Sequence, residues 1–222
     1  MVRKSFDLEL QELNLGLHQM CETVLEAFRR ALVGLRDRDT ELLAAVVAGD
    51  KAVNAMEKDL ESRSLRLLMR QQPVVGADLR AISAALKLTT DLERLGDQAQ
   101  DIADIGLAFC RAGRNPLTLP SRIGEMGKET LWMLEQATQA LEKSDLEIAR
   151  QVEEHDDVVD ELFRVLKEEL VEAIKQEAAH PDDILDLLMI GKYLERIADH
   201  SVNVCEWVCF YQTGRHQDTR IF

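Results

Sequence analysis

The chain has 222 residues, with 41 Asp and Glu against 27 Lys and Arg and a formal net charge of −14. That balance excludes a nucleic-acid binder, which needs Lys and Arg to neutralise phosphates, and disfavours simple electrostatic docking to anionic lipid. Hydrophobic residues make up 46% and aromatics only 5%, so the core is aliphatic, and the length allows one large domain or two small ones.

Four prolines and no alternating apolar–polar blocks point to an all-α protein. The apolar stretch LLAAVVA (Leu42 to Ala48) is too short to span a bilayer. The opening MVRKSFDLELQEL has no apolar signal-peptide core. Four cysteines without a tight spacing pattern fit reduced thiols. A soluble, cytoplasmic protein is expected.

The first predicted helix runs from about Phe6 to Arg38, with apolar residues at 6, 10, 13, 17, 20, 24, 28, 31 and 35. That three-four spacing makes a bundle seam. A second helix starts near Asp39, a good N-cap, and ends before QQPVVGAD. A third spans about Asp78 to Ala112 and stops at AGRNPLTLP. Then the pattern repeats. Adding 106 maps Leu17, Met20, Phe28, Leu35, Asp39, Val46, Asp50, Val53 and Leu60 onto Ile123, Met126, Leu134, Leu141, Asp145, Val152, Asp156, Val159 and Leu166. Adding 102 maps Leu88, Leu92, Glu93, Arg94, Leu95, Asp97 and Ile102 onto Ile190, Leu194, Glu195, Arg196, Ile197, Asp199 and Val204. The chain is a duplication. Its halves divide at 1–114 and 115–222, and short connections imply two tandem antiparallel three-helix bundles. In the second half SDLE (Ser144 to Glu147) reads as a capping box. HPDD (His180 to Asp183) puts proline at the first helical position, with acids near the positive helix end.

Acids break the apolar order at matched places. Val46, Asp50, Val53, Glu57 and Leu60 share one face of the second helix, and Val152, Asp156, Val159, Phe163 and Leu166 share its counterpart. Asn54 and Asp160 follow Asp50 and Asp156 four residues on. The third helix carries Glu93, Asp97, Asp101 and Asp104 beside the stripe Leu88, Leu92, Leu95, Ala99 and Ile102. Like charges one turn apart cost about 0.2–0.5 kcal/mol per pair, and a buried unpaired carboxylate costs more. A cation on each stripe offsets both. Packed helices lie about 8–10 Å apart, near enough for side chains from two of them to share an ion. One divalent site per half is therefore expected: Asp50, Asn54, Glu93 and Asp97, then Asp156, Asp160, Glu195 and Asp199, with Asp101 and Asn203 as outer candidates. Oxygen ligands suit Mg²⁺, Ca²⁺ or Mn²⁺, and carboxylate clusters also hold iron. The competing explanation is a pair of solvated acidic faces.

Arg94 and Arg196 have two readings: a clamp on a partner or phosphate, or, as expected here, ion pairs with Asp97 and Asp199 three residues on. His200 and His155 adjoin the acids but point elsewhere around their helices. Cys205 and Cys209 are expected to pack as small hydrophobes. Met69, Met126, Met133 and Met189 read as core filler, and Trp132 and Trp207 as packing. No nucleophile motif, P-loop or dinucleotide fingerprint is present. The single Glu-x-x-His spacing, Glu177 to His180, sits at a helix end, where a di-iron oxidase needs two such elements. An enzyme is not expected.

With ERLGDQA (Glu93 to Ala99), ERIADHS (Glu195 to Ser201) and GDKAVNAME (Gly49 to Glu57) in place, the chain resembles the PhoU family over almost its whole length. The resemblance implies paired three-helix bundles and E/D-x-x-x-D motifs that bind metal ions (Mg, Mn, Fe or Zn) in some members. It implies a negative regulator of phosphate uptake and of phosphate-starvation signalling. The partners implied are the ATPase subunit of the phosphate ABC transporter and the phosphate sensor histidine kinase, with membrane association only through them. A homodimer is expected from the long bundle faces. Two departures stand out: Asn54 takes the place of an acid, and Phe163 stands where the first half has Glu57. The alternatives are a divalent-metal storage or buffering protein and a purely structural helical oligomer.

Overall fold

The computed structural model describes residues 2–70, 74, 76–116, 122–177, 180–216 and 219–220. Its helices are α1 (Val2–Asp37), α2 (Thr40–Arg70), α3 (Ala77–Arg111), α4 (Ile123–Lys143), α5 (Leu146–Lys175) and α6 (Pro181–Thr213). A short antiparallel pair, β1 (Arg215–His216) and β2 (Thr219–Arg220), follows. The connections QQPVVGAD and AGRNPLTLP include residues 71–73, 75 and 117–120, which lie outside the described residues, as does residue 121.

The junctions between helices repeat. Arg38 and Ser144 both take positive φ, 59° and 53°. The next residue, Asp39 or Asp145, then caps the new helix: each carboxylate accepts from the backbone N–H groups two and three residues on. This corrects the capping box proposed for Ser144, which instead closes α4 in the left-handed region. The sharp turn between two helices needs one residue at positive φ, and Ser144 takes that role. His180 caps α6 ahead of Pro181, as its sequence implies.

Each half is an antiparallel three-helix bundle, α1–α3 and α4–α6. The seam of α1 is buried at Phe6, Leu13, Leu17, Met20, Val24, Phe28, Ala31 and Leu35, and the α3 stripe at Leu88, Leu92, Leu95, Ala99 and Ile102. Met126 and Met133 are fully buried, but Met69 is 75% and Met189 42% exposed, so these two are not core filler. Both stand on the outward side of helices whose inward positions are already taken by Leu67 and Ile190. Close helix approach is set by small residues. A Cβ on Gly96 of α3 would lie 3.0 Å from Val53 Cγ1 of α2, and one on Gly191 of α6 would collide with Leu166 of α5.

The halves pack through α1 against α4 and α3 against α6. Cys21 Sγ lies 3.3 Å from Thr138 Oγ1, and Arg29 Nη2 donates to Glu135 Oε1 at 2.8 Å. Arg114, in the connection after α3, reaches Asp183 and Asp186 near the start of α6. Among the described residues no helix is long and apolar enough to cross a membrane.

Candidate functional site

Heptad-like packing turns one face of α2 toward α3 and the equivalent face of α5 toward α6. In the first half, Val53 packed against Gly96 holds the two backbones close. Asp50 and Asn54 stand one turn apart beside Val53, and Asn54 Nδ2 donates to Asp50 Oδ2 at 2.7 Å. The other oxygen, Asp50 Oδ1, is buried with no hydrogen-bond partner. A buried carboxylate oxygen without a donor is costly, and a cation would satisfy it. It adjoins a groove of about 390 Å³ between α1 and α2 that Glu22, Glu26 and Arg30 also line.

Across from Asp50 stand Glu93 and Asp97. Burial first, then the charges of Asp97, Glu57 and Asp50, push the Glu93 carboxyl above the usual range. Burial first, then Asp50 and Asp101, do the same for Asp97, and Arg94 opposes both rises. The second cluster is the duplicate. Burial, then Asp199, Asp160, Asp157 and Glu195, push Asp156 up to about 6. Asp199 is raised in the same way by burial and Glu195, while Lys192 opposes the rise. Lys192 Nζ pairs directly with Glu195 and lies 5.7 Å from the Phe163 ring centroid. Asp160 is exposed.

The eight inner candidates thus gather in two sets of four. All their donor atoms are oxygens, the set that suits a hard divalent cation, and Asp50 Oδ1 is the orphan such an ion would pair. Among the described residues, however, no group of three or more His, Cys, Asp or Glu side chains already surrounds a point suited to an ion. The carboxylates repel one another across the helix pair.

The outer candidates have a different role. Asp101 accepts a hydrogen bond from Tyr193 of α6, and Asn203 Nδ2 donates to Asp91 of α3 at 3.2 Å. In the repeat register Asp91 corresponds to Tyr193 and Asp101 to Asn203. The two bonds are therefore one contact written twice across the α3–α6 seam. His200 joins it, with Nδ1 at 2.9 Å from Asp91 Oδ1. His155 instead faces Glu129 at 2.8 Å and packs on Trp132. Sequence reasoning missed Lys192, Tyr193, Asp91 and Gln98 as members of this region. The repeat register was the available signal for the Tyr193 and Asp91 pairing.

The expected pairs of Arg94 with Asp97 and Arg196 with Asp199 do not form. Among the described residues neither arginine lies within ion-pair distance of a carboxylate; Arg94 acts on Glu93 and Asp97, and Arg196 on Asp101 and Tyr193, only through space. The acids couple to α2 and α5, whereas both arginines line a cleft that includes residues of α3, α5 and α6. Cys205 is fully buried, as expected.

The PhoU domain family model matches this frame twice, over residues 17–106 and 123–208. The chain belongs to the PhoU family. It is 32% identical over 219 residues to a phosphate-specific transport system accessory protein PhoU homolog of Clostridium acetobutylicum, covering 98% of this chain and 99% of that relative. It is 32% identical over 212 residues to a protein of the same description from Caulobacter vibrioides, covering 95% and 91%. Its fold is similar to the crystal structure of PhoU from Pseudomonas aeruginosa, with a TM-score of 0.88 at 29% identity, over 95% of this chain and all of that one. The phosphate transport system regulatory protein PhoU from Streptococcus pneumoniae gives a TM-score of 0.85 at 29% identity, over 96% and 100%. The two matched segments fall one in each three-helix half, so PhoU duplication and helical duplication coincide.

Proposed function

We propose that this PhoU-family chain is a cytoplasmic negative regulator of phosphate uptake and of phosphate-starvation signalling. In this reading it is a metal-dependent adaptor between the ATPase subunit of a phosphate ABC transporter and a sensor histidine kinase, and it has no turnover of its own. The names of its relatives, accessory and regulatory proteins of phosphate transport, support the system. The observation that carries the metal part is the orphaned Asp50 Oδ1 facing Glu93 and Asp97. Divalent ions would be held by Asp50, Asn54, Glu93 and Asp97, and by Asp156, Asp160, Glu195 and Asp199. There they would supply charge neutralisation and a rigid, less acidic face for a partner. A homodimer through the long helical faces belongs to the same proposal.

The test is a pull-down of the full chain with the transporter ATPase and the sensor kinase, in Mn²⁺ or Mg²⁺ and again after EDTA. Capture that disappears with chelator is the expected result. Capture indifferent to chelator keeps the adaptor and reduces the acid clusters to structure. No capture in either buffer, with several ions per chain, favours metal storage instead.

A further inference from the structure

A polar cleft of about 730 Å³ adjoins the seam where α3 packs on α6. Arg94 and Gln98 line it from α3 and Arg196 from α6, and the carboxylates of Asp156, Asp199 and Glu206 line it too. Arg94 and Arg196 are repeat equivalents, so the duplication brings one arginine from each half to a shared space. In this acidic chain many arginines are already taken. Arg29, Arg63, Arg114, Arg122 and Arg164 each sit within 4 Å of a carboxylate. Arg94 and Arg196 are not held in this way among the described residues. A guanidinium presents a planar fork of donors matched to the oxygens of a phosphate or carboxylate, and here two forks share one cleft.

A second, independent feature lies in the same wall. Gln98 is only 8% exposed, and its Oε1 is buried without a hydrogen-bond partner. An anion with no proton cannot satisfy that acceptor. His200 and Asn203, which also line the cleft, are committed to Asp91 and leave the acceptor unmatched. Glu206 faces His216 at 3.5 Å, which tempers its charge when the imidazole is protonated.

We propose that this cleft binds hydrogen phosphate, with Arg94 and Arg196 on its charged oxygens and Gln98 Oε1 accepting from its P–OH. Phosphate keeps an O–H at neutral pH and sulfate does not. The Gln98 acceptor therefore selects for the protonated oxyanion: it accepts from phosphate and only repels sulfate, while the carboxylates of the lining repel both. The choice of phosphate among protonated oxyanions rests on the phosphate-system reading above; the arginine pair and the unmatched amide do not depend on it.

Isothermal titration of the full chain with inorganic phosphate and with sulfate, each in EDTA and in Mg²⁺, tests this. The expected result is phosphate binding in at least one buffer, with sulfate at least about tenfold weaker. Replacing both arginines, R94Q with R196Q, weakens phosphate by about tenfold or more, the loss of charge-assisted bonds, with helical content unchanged. The charge-preserving pair R94K and R196K falls between, because the point charge stays and the fork goes. Gln98→Leu narrows the phosphate-over-sulfate ratio. No phosphate binding in either buffer, binding unaltered by R94Q with R196Q, or equal binding of sulfate would overturn the proposal. Partner capture reads out separately: a chain that captures its partners yet ignores phosphate loses only this cleft, and one that binds phosphate without partners loses only the adaptor.

Discussion

The two acid clusters stand on the same helical frame, yet their charge is balanced differently. In the first, Asp50, Glu93 and Asp97 face one another with Glu57 close by, and Asp50 keeps a buried oxygen unpaired. In the second, Lys192 pairs with Glu195 and leans on Phe163, which stands where the first half has Glu57. The first-half counterpart of Lys192 is Thr90, whose hydroxyl turns back to its own helix at Leu86. The second half thus carries an internal cation; it lacks the Glu57 acid at Phe163 but has Asp160 where the first half has Asn54. Core positions such as Val53 and Val159 stay identical after duplication because close packing tolerates little change. Half-open polar positions drift because their changes cost less.

The largest expected effect separates the clusters by metal. Asp50→Ala with Asp97→Ala lowers Mn²⁺ affinity at the first site by on the order of 100-fold or more, beyond the 10–100-fold typical of losing outer-shell support. The same exchange at Asp156 and Asp199 costs less, because Lys192 already competes there. Equilibrium dialysis with metal analysis decides it; equal losses in the two double variants would remove the asymmetry. Lys192→Met sharpens the contrast from the other side: it frees Glu195 and raises metal affinity at the second site by about tenfold, the scale of one removed charge competitor.

Helix spacing is the next lever. Gly191→Ala forces a methyl into Leu166, and overpacking of this kind costs about 1–3 kcal/mol. Gly96→Ala meets Val53 less severely, and its repeat equivalent is already Ala198. Denaturant titration is expected to show the larger loss at Gly191.

Proton linkage gives a smaller effect with a definite sign. Asp156 binds its proton more tightly folded, up to about 6, than unfolded, near its ordinary 3.8. The folded state therefore holds the extra proton between these values. The stabilisation is complete below about 3.8 and lost as pH rises through about 6. Glu93, Asp97, Asp101 and Asp199 shift in the same direction. Because the site is half open, solvent screening leaves about 1 kcal/mol from Asp156. Without metal, unfolding titrations near pH 5 are expected to show more stability than near pH 7. Mg²⁺ or Mn²⁺ flattens that slope; a slope of opposite sign would refute the linkage. The smallest expected difference is at the caps: Asp39→Ala and Asp145→Ala each cost about 1 kcal/mol and by equal amounts, since their geometry repeats.

Much of this frame was legible in the residues. The three-four spacing located the helices, and the offsets of 106 and 102 exposed the duplication; the pairs they suggest, Asp50 with Glu93 and Asp156 with Glu195, act on each other's charge in the fold. The repeat would also have identified Asp145 as the cap, because it maps onto Asp39; the local capping-box pattern at Ser144 hid it. The arginines were misplaced because an acid three residues along a helix is a near neighbour in sequence geometry. The competing space beside the seam of the two halves is invisible there.

Periodicity and duplication are local or self-referential properties, so the sequence by itself determined six helices in two like bundles and the acid stripes on them. What only the tertiary structure decided is how the bundles meet. Tyr193 with Asp101 and Asn203 with Asp91 turn the outer candidates into a seam, Lys192 occupies one cluster, and Arg94 and Arg196 share a cleft. Those outcomes depend on which of several reachable partners each long side chain finds once α3 lies against α6. Distance along the chain does not encode that choice.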